Sequence, residues 1–436
     1  MIVKRKGPLK GTMTVPGDKS ISHRAIMLGA LSEGITEVEN FLMGKDCIST
    51  ISCFRQMGVS IDIDSVGNKV HIKGKGLYGL QSPNTPLDVG NSGTTIRLLS
   101  GILCGQPFKS TITGDSSIRT RPMGRILTPL KQMGADIASE NNNSCAPLLI
   151  NSLNTASSPM ESKDLTNRLK GIHFHSPVAS AQVKSCLLLA GLYADSETTV
   201  TEPALSRNHT ELMLSEFGAT VTAAGNTSSV LPGPKLTGRR INVPGDISSA
   251  AYFIVAALIV PNSELLIKNV GINPTRDGII KVCRMMGADI KLENVKNKGG
   301  ETSADILVRH SNLKGVEISG PIVPTLIDEI PIIAVLSCFA TGKTTIKDAE
   351  ELKVKESNRI EIVVKNLSAM GADITATDDG MIINGGKPLH GAVVDSKMDH
   401  RIAMAFTIAA LAAEGETQIL NPECVNISYP NFFTSL

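Results

Sequence analysis

Met133-Gly134-Ala135-Asp136-Ile137 recurs unchanged at 286–290 and at 370–374. Met57-Gly58-Val59-Ser60-Ile61 and Phe217-Gly218-Ala219-Thr220-Val221 are looser copies of it. Each copy closes an amphipathic stretch of helical period and opens a stretch of alternating hydrophobicity. The glycine stands where a helix ends in a C′ residue, and the run after it reads as a strand. Such self-similarity marks a repeated supersecondary unit.

A second pattern precedes each copy. A polar or charged start leads into an apolar helix, then a turn of small residues, then a strand. The starts are Ser22-His23-Arg24, Asn91-Ser92-Gly93, Ser180-Ala181-Gln182, Asp246-Ile247-Ser248, Asp328-Glu329 and Asp399-His400-Arg401, spaced 66 to 88 residues apart. The stretches Cys186–Ala190, Ala250–Val260, Ile332–Ala340 and Ile402–Ala413 are apolar nearly all round, which predicts buried helices. Six β/α units with helices inside and strands outside are expected. A plain α/β repeat array fits the repeats as well.

A third duplication concerns domains. Val15-Pro16-Gly17-Asp18 returns as Val243-Pro244-Gly245-Asp246. The expected division is a first three-repeat domain over 20–240 and a second made of 1–19 with 241–436. A two-strand hinge near 15–20 and 240–246 would join them, with an active site in the cleft.

A chain of 436 residues is too long for one core. Hydrophobic residues make up 42% and charged residues 19%, the balance of a folded globular protein. Lys plus Arg is 43 against 41 for Asp plus Glu, which argues against a nucleic-acid or membrane-surface binder. The eight cysteines are scattered, with no C-x-x-C pair. That suits a reduced cytoplasmic protein, not a disulfide scaffold or zinc site. The basic N-terminus has no apolar core of a secretory signal, and Ala250–Val260 is too short to span a bilayer.

Cations nevertheless gather near the helix starts: Lys19, Arg24, Arg97, Arg121, Lys184, Arg207, Lys355, Arg359 and Arg401. A helix N-terminus adds unpaired N–H groups and partial positive charge. Any one of these side chains alone reads as solvated surface charge. Grouped at equivalent repeat positions, they point to small, highly charged anionic substrates.

The same segments resemble, in order, the motifs of the EPSP synthase family. Pro16-Gly17-Asp18-Lys19-Ser20-Ile21-Ser22-His23-Arg24 is similar to its N-terminal substrate motif, and Gly90-Asn91-Ser92-Gly93-Thr94-Thr95-Ile96-Arg97 to its phosphoenolpyruvate loop. Arg121-Pro122-Met123, Ser180-Ala181-Gln182, Asp328-Glu329, Leu352 to Arg359 and Asp399-His400-Arg401 match further motifs. The resemblance spans essentially the whole chain. It implies an α/β fold of the α+β type: a two-domain inside-out α/β barrel of six βαβαββ-like repeats. It implies transfer of the carboxyvinyl group of phosphoenolpyruvate to the 5-hydroxyl of shikimate 3-phosphate, in chorismate and aromatic amino acid biosynthesis. No metal, no organic cofactor, no nucleic acid and no membrane is implied, and a monomer is expected.

Carried over by motif, Lys19, Ser20, Arg24, Ser180, Ala181, Gln182, Asp328 and Lys355 would hold shikimate 3-phosphate. Arg207 would join them or be a surface arginine at a helix start. Lys19, Asn91, Gly93, Arg121, Gln182, Arg359 and Arg401 would hold phosphoenolpyruvate. Arginine forks and a mobile lysine charge suit a carboxylate and a phosphate, and a glycine at a helix start admits close approach of a ligand. Two proton movements demand a base and an acid. Asp328 would be the base, Glu356 the acid, and Lys19 and Lys355 would assist. Asp328 also reads as an N-cap, and Glu356 as a solvated charge.

Some positions depart from the family pattern. Ser92 and Leu98 replace a common Ala and Pro, Ala181 replaces a serine, and Ile427 replaces a C-terminal lysine. They resemble a divergent bacterial branch and bear on the response to glyphosate. The alternative is enolpyruvyl transfer to UDP-N-acetylglucosamine, whose family uses a loop cysteine; Gly105–Ser144 has none. The Gly74–Gly79 string satisfies G-x-G-x-x-G, but no helix pattern follows it. His173 and His175 read as a strand surface, not a metal pair.

Overall fold

The computed structural model describes residues 1–64, 66–152 and 169–436. The chain forms two compact units, Lys19–Val243 and Met1–Asp18 with Pro244–Leu436. The α-helices of the first are α1 (Lys19–Leu31), α2 (Lys45–Gln56), α3 (Gly93–Leu103), α4 (Gly124–Gln132), α5 (Ala181–Gly191) and α6 (His209–Phe217). Those of the second are α7 (Ile247–Ile259), α8 (Gly278–Met285), α9 (Ile330–Cys338), α10 (Arg359–Ala369) and α11 (His400–Ala412).

The repeated pentapeptide ends α2, α4, α6, α8 and α10. In all five the glycine has φ between +83° and +105°. Its N–H donates three residues back and the next N–H five residues back, as in Gly134 to Lys131 O at 2.9 Å and Ala135 to Leu130 O at 3.0 Å. This is the Schellman closure, and its left-handed residue is what makes glycine the constant letter.

The repeating unit is βαβαββ. Leu87–Asp88, α3 and Ser110–Thr113 make a parallel βαβ, and after α4 Ile137–Ser139 and Leu148–Ile150 add an antiparallel hairpin. His173–His175, Thr198–Thr201, Val221–Ala224 and Thr227–Val230 repeat this around α5 and α6. In the repeat of α1 and α2, the parallel edge strand comes from the far end of the unit: Arg240–Asn242 pairs with Ile35–Glu39. The other unit does the same with Lys10–Thr14, which runs parallel to Glu264–Gly271. Its last sheet has three strands, and Ile2–Lys4 stands in place of the hairpin against Glu416–Leu420. The duplicated Pro-Gly-Asp segments lie side by side: Asp18 N donates to Pro244 O at 2.8 Å and Asp246 N to Pro16 O at 2.9 Å.

Helices inside and sheets outside follow from the patterning. Every residue of α7 and α9 is buried, as their all-round apolarity requires. Strands alternate instead: in Lys69–Lys73, Val70 and Ile72 are buried and the lysines and His71 exposed. The cysteines are free, and seven are buried. Burial pushes the thiols of Cys53, Cys186, Cys283 and Cys338 up to about 12, so they act as small hydrophobes and not as nucleophiles. His173 and His175 lie exposed on their strand with rings stacked. Among the described residues, no helix is long and apolar enough to cross a membrane.

Candidate active site

In the unit Lys19–Val243 the start of α3 brings Arg97 and Arg121 together. Ser92 caps it, accepting from Thr95 N–H. A Cβ on Gly93 would lie 2.9 Å from Arg97 Nη1 and 3.1 Å from Arg121 Nη1. Two guanidinium groups thus close over the helix N-terminus, and a side chain at 93 would push their ends aside. Arg121 donates to Asn91 Oδ1 at 2.9 Å and to Ser117 Oγ at 3.0 Å. Arg97 donates to Gln182 Oε1 at 2.6 Å, and Gln182 donates to Thr94 Oγ1 at 3.0 Å. Asn91, Gly93, Arg121 and Gln182 therefore meet at one place, and Arg97, which had no assigned role, joins them.

Lys19 opens α1 and pairs with Asp46 on α2 at 3.1 Å. Arg24, one turn on, is buried. Its Nε donates to Thr210 at 2.6 Å, Nη1 to Ser20 O at 2.9 Å and Nη2 to Ser185 at 2.8 Å, so it ties α1 to α5 and α6 beneath the helix starts. Ser180 caps α5, and its N–H donates to Glu202 at 2.8 Å. Ala181 is the first helical residue and offers only backbone. Arg207 lies half-buried just before α6.

Lys184, grouped by sequence with the anion-binding cations, is not one. It is buried between Glu202 at 2.9 Å and Glu211 at 2.8 Å. Sequence placed it near a helix start; its position one turn into α5 turns it inward. Lys184→Met is expected to strand two buried carboxylates and to cost about 3–5 kcal/mol in urea unfolding. A loss below about 1 kcal/mol would mean that other groups carry their charge.

In the other unit the helix starts carry their own carboxylates. Asp246 caps α7 and Asp399 caps α11. These two N-termini thus already carry a compensating negative charge. The cap position of α9 is Glu329. The Asp328 carboxylate faces three cations instead: Arg359 Nη1 at 3.4 Å, Arg401 Nη2 at 3.6 Å and Lys355 Nζ at 3.7 Å. Lys355 also reaches Glu351 at 2.6 Å.

Arg359 is 1% exposed and bonds Asp399 at 2.8 Å and Glu356 at 2.5 Å. Burial alone would lower its pKa; Asp399 and Glu356 outweigh that and hold it above the ordinary arginine value. Arg401 is likewise held up, against burial, chiefly by Asp328. Burial would raise the Asp399 pKa, but Arg359 holds it below the usual carboxylate range. Asp328, Lys355, Glu356, Arg359 and Arg401 form one ionic cluster.

Sequence reasoning missed Arg276. It is buried, donates to Ser248 at 2.7 Å, and lies 3.5 Å from Asp18, 3.5 Å from Asp246 and 3.9 Å from Glu329. Asp18 and Asp246 are the duplicated aspartates. The duplication of the aspartates in the sequence was the available signal, since a carboxylate buried at either place needs a partner.

A sequence model of the family described as EPSP synthase (3-phosphoshikimate 1-carboxyvinyltransferase) matches residues 3–436. The chain is 58% identical over 431 residues to the 3-phosphoshikimate 1-carboxyvinyltransferase of Thermoanaerobacter sp. strain X514, covering 99% of this chain and 98% of that one. It is 55% identical over 434 residues to that of Bacillus cytotoxicus, covering 100% and 99%. Among solved structures, EPSP synthase from Acinetobacter baumannii is similar with a TM-score of 0.86 at 45% identity, covering 99% of this chain and 96% of that one.

Proposed function

The chain belongs to the EPSP synthase family, and from that membership we infer that it transfers the carboxyvinyl group of phosphoenolpyruvate to the 5-hydroxyl of shikimate 3-phosphate, releasing phosphate. The observation that carries this is the family match over 3–436. The placement of the motif residues supports their roles.

Lys19, Ser20, Arg24, Ser180, Ala181, Gln182, Arg207 and Lys355 are assigned to shikimate 3-phosphate. Asn91, Gly93, Arg121 and Gln182, with Arg359, Arg401 and Lys19, are assigned to phosphoenolpyruvate. In addition, the 5-hydroxyl oxygen bonds to C2 while its proton passes to Asp328, and C3 takes a proton from Glu356. In elimination C3 returns that proton and the C2–O bond to phosphate breaks. Asp328 is assigned as the base by its motif position, and Lys355, Arg359 and Arg401 fix where its carboxylate sits. Glu356 must release Arg359 to serve as the acid. An incoming carboxylate or phosphate that takes the guanidinium fork would set it free. The cations around Asp328 also face the charge that develops in the tetrahedral intermediate.

The test is phosphate release from phosphoenolpyruvate with shikimate 3-phosphate and, separately, UDP-N-acetylglucosamine as acceptor, in chelator. Release with shikimate 3-phosphate alone is expected. Release with UDP-N-acetylglucosamine alone, or with neither, would overturn the assignment.

A further inference from the structure

A chain of buried hydroxyl groups joins three helices of the unit Lys19–Val243. His23 Nδ1 lies 2.7 Å from Thr50 Oγ1, Thr50 Oγ1 lies 2.7 Å from Thr95 Oγ1, and Thr95 Oγ1 lies 2.7 Å from Ser92 Oγ. His23 is on α1, Thr50 on α2, Thr95 on α3, and Ser92 is the α3 cap. All four are 0% exposed.

Each hydroxyl has one proton, so Thr95 donates either to Ser92 or back to Thr50. Ser92 Oγ already accepts from Thr95 N–H at 3.1 Å. If Thr95 also donates its hydroxyl proton to Ser92, it must accept from Thr50, and Thr50 must accept from His23 Nδ1–H. His23 Nε2 is then a bare acceptor, and among the described residues it has no hydrogen-bond partner. The reverse polarity would put the proton on Nε2 and bury an orphaned N–H donor, the rarer and costlier state. Thr50 also approaches Asp46 O at 3.3 Å. With Thr95 donating to Ser92, spending the Thr50 proton there would leave Thr50 and Thr95 facing each other at 2.7 Å with lone pairs only. Burial, with Lys19 and Arg24 nearby, holds the His23 pKa well below the ordinary histidine value, which keeps the ring neutral as this polarity needs.

The chain ends at functional places. Ser92 sets the start of α3, flanked by Asn91 and Gly93. His23 lies one turn from Lys19 and Ser20. Thr50 lies one turn from Asp46, which holds Lys19 at 3.1 Å. We propose that the relay His23–Thr50–Thr95–Ser92 is a positioning element of the site, in which Thr50 locks the phosphoenolpyruvate-binding start of α3 against the start of α1. Thr50 touches no substrate; it acts through Ser92 and His23. The kinetic part of this rests on the family reaction proposed above.

Two measurements on the full-length protein test it. With ¹⁵N-histidine labelling, the His23 ring, identified by its loss in His23→Gln, is expected as the neutral Nδ1–H tautomer, independently of any activity. Nε2–H would overturn the relay. In steady state, Thr50→Val is expected to raise KM for phosphoenolpyruvate roughly ten-fold, the loss of one buried link. KM for shikimate 3-phosphate and kcat should move less than about two-fold, and Thr50→Ser should restore wild-type values. Thr95→Val should do the same and serves if Thr50→Val does not fold. An unchanged KM for phosphoenolpyruvate, or a joint fall of all parameters that Thr50→Ser does not rescue, would overturn the proposal. Wild-type protein that released no phosphate would instead overturn the reaction, and the tautomer would still decide the relay.

Discussion

Asp328→Asn is expected to lower kcat by roughly 10²- to 10⁴-fold, the range for loss of a positioned base. Shikimate 3-phosphate binding, read by calorimetry, should weaken far less. The reason is geometric. The Asp328 carboxylate faces Lys355, Arg359 and Arg401 together. The amide keeps the shape but cannot accept the hydroxyl proton. Retained full turnover would remove the base role. Equal losses in binding and turnover would leave Asp328 as a binding group only.

Arg359→Met is expected to cost about 3–5 kcal/mol of stability, the range for removing one partner of a buried ion pair. Asp399 is fully buried and loses its bond at 2.8 Å; Glu356 loses one at 2.5 Å. The pH dependence distinguishes this from a packing defect. In the wild-type chain the Asp399 pKa is lowered in the folded state. Its stabilisation is therefore present above the unfolded carboxylate value and is lost as pH falls through the folded one. In the variant, burial without the guanidinium raises that pKa, so stability falls as pH rises through it. The gap between wild type and variant, from urea unfolding, should narrow from pH 7 to pH 4. A gap constant with pH would mean that the cost is lost packing and not a stranded charge.

Much of the fold was legible in one pentapeptide. Gly134 and its counterparts need positive φ, a demand of local chain geometry that any copy of the motif must meet. The all-round apolar helices were legible as well, because a helix without a polar face has nowhere to go but inside. The exchange of edge strands was not: Lys10–Thr14 and Arg240–Asn242 are short and polar, and their partners lie far along the chain. The site was legible as motifs around Lys19, Gly93, Asp328 and Arg401. Which cations are spent on neighbouring carboxylates was not, because Lys184, Arg276 and Arg359 meet their partners across elements that only folding brings together.

The order of residues alone therefore determined the repeat, the inward-facing helices and the identity of the charged groups, since these depend on period, turn chemistry and residue type. The tertiary structure alone decided how the charges are distributed: Asp246 and Asp399 fill their helix starts, Lys184 and Arg276 neutralise buried carboxylates, and Ser92, Thr95, Thr50 and His23 come within hydrogen-bonding distance in series. Those outcomes depend on distances of a few ångströms between segments remote in sequence, where both charge pairing and hydrogen bonding are won or lost.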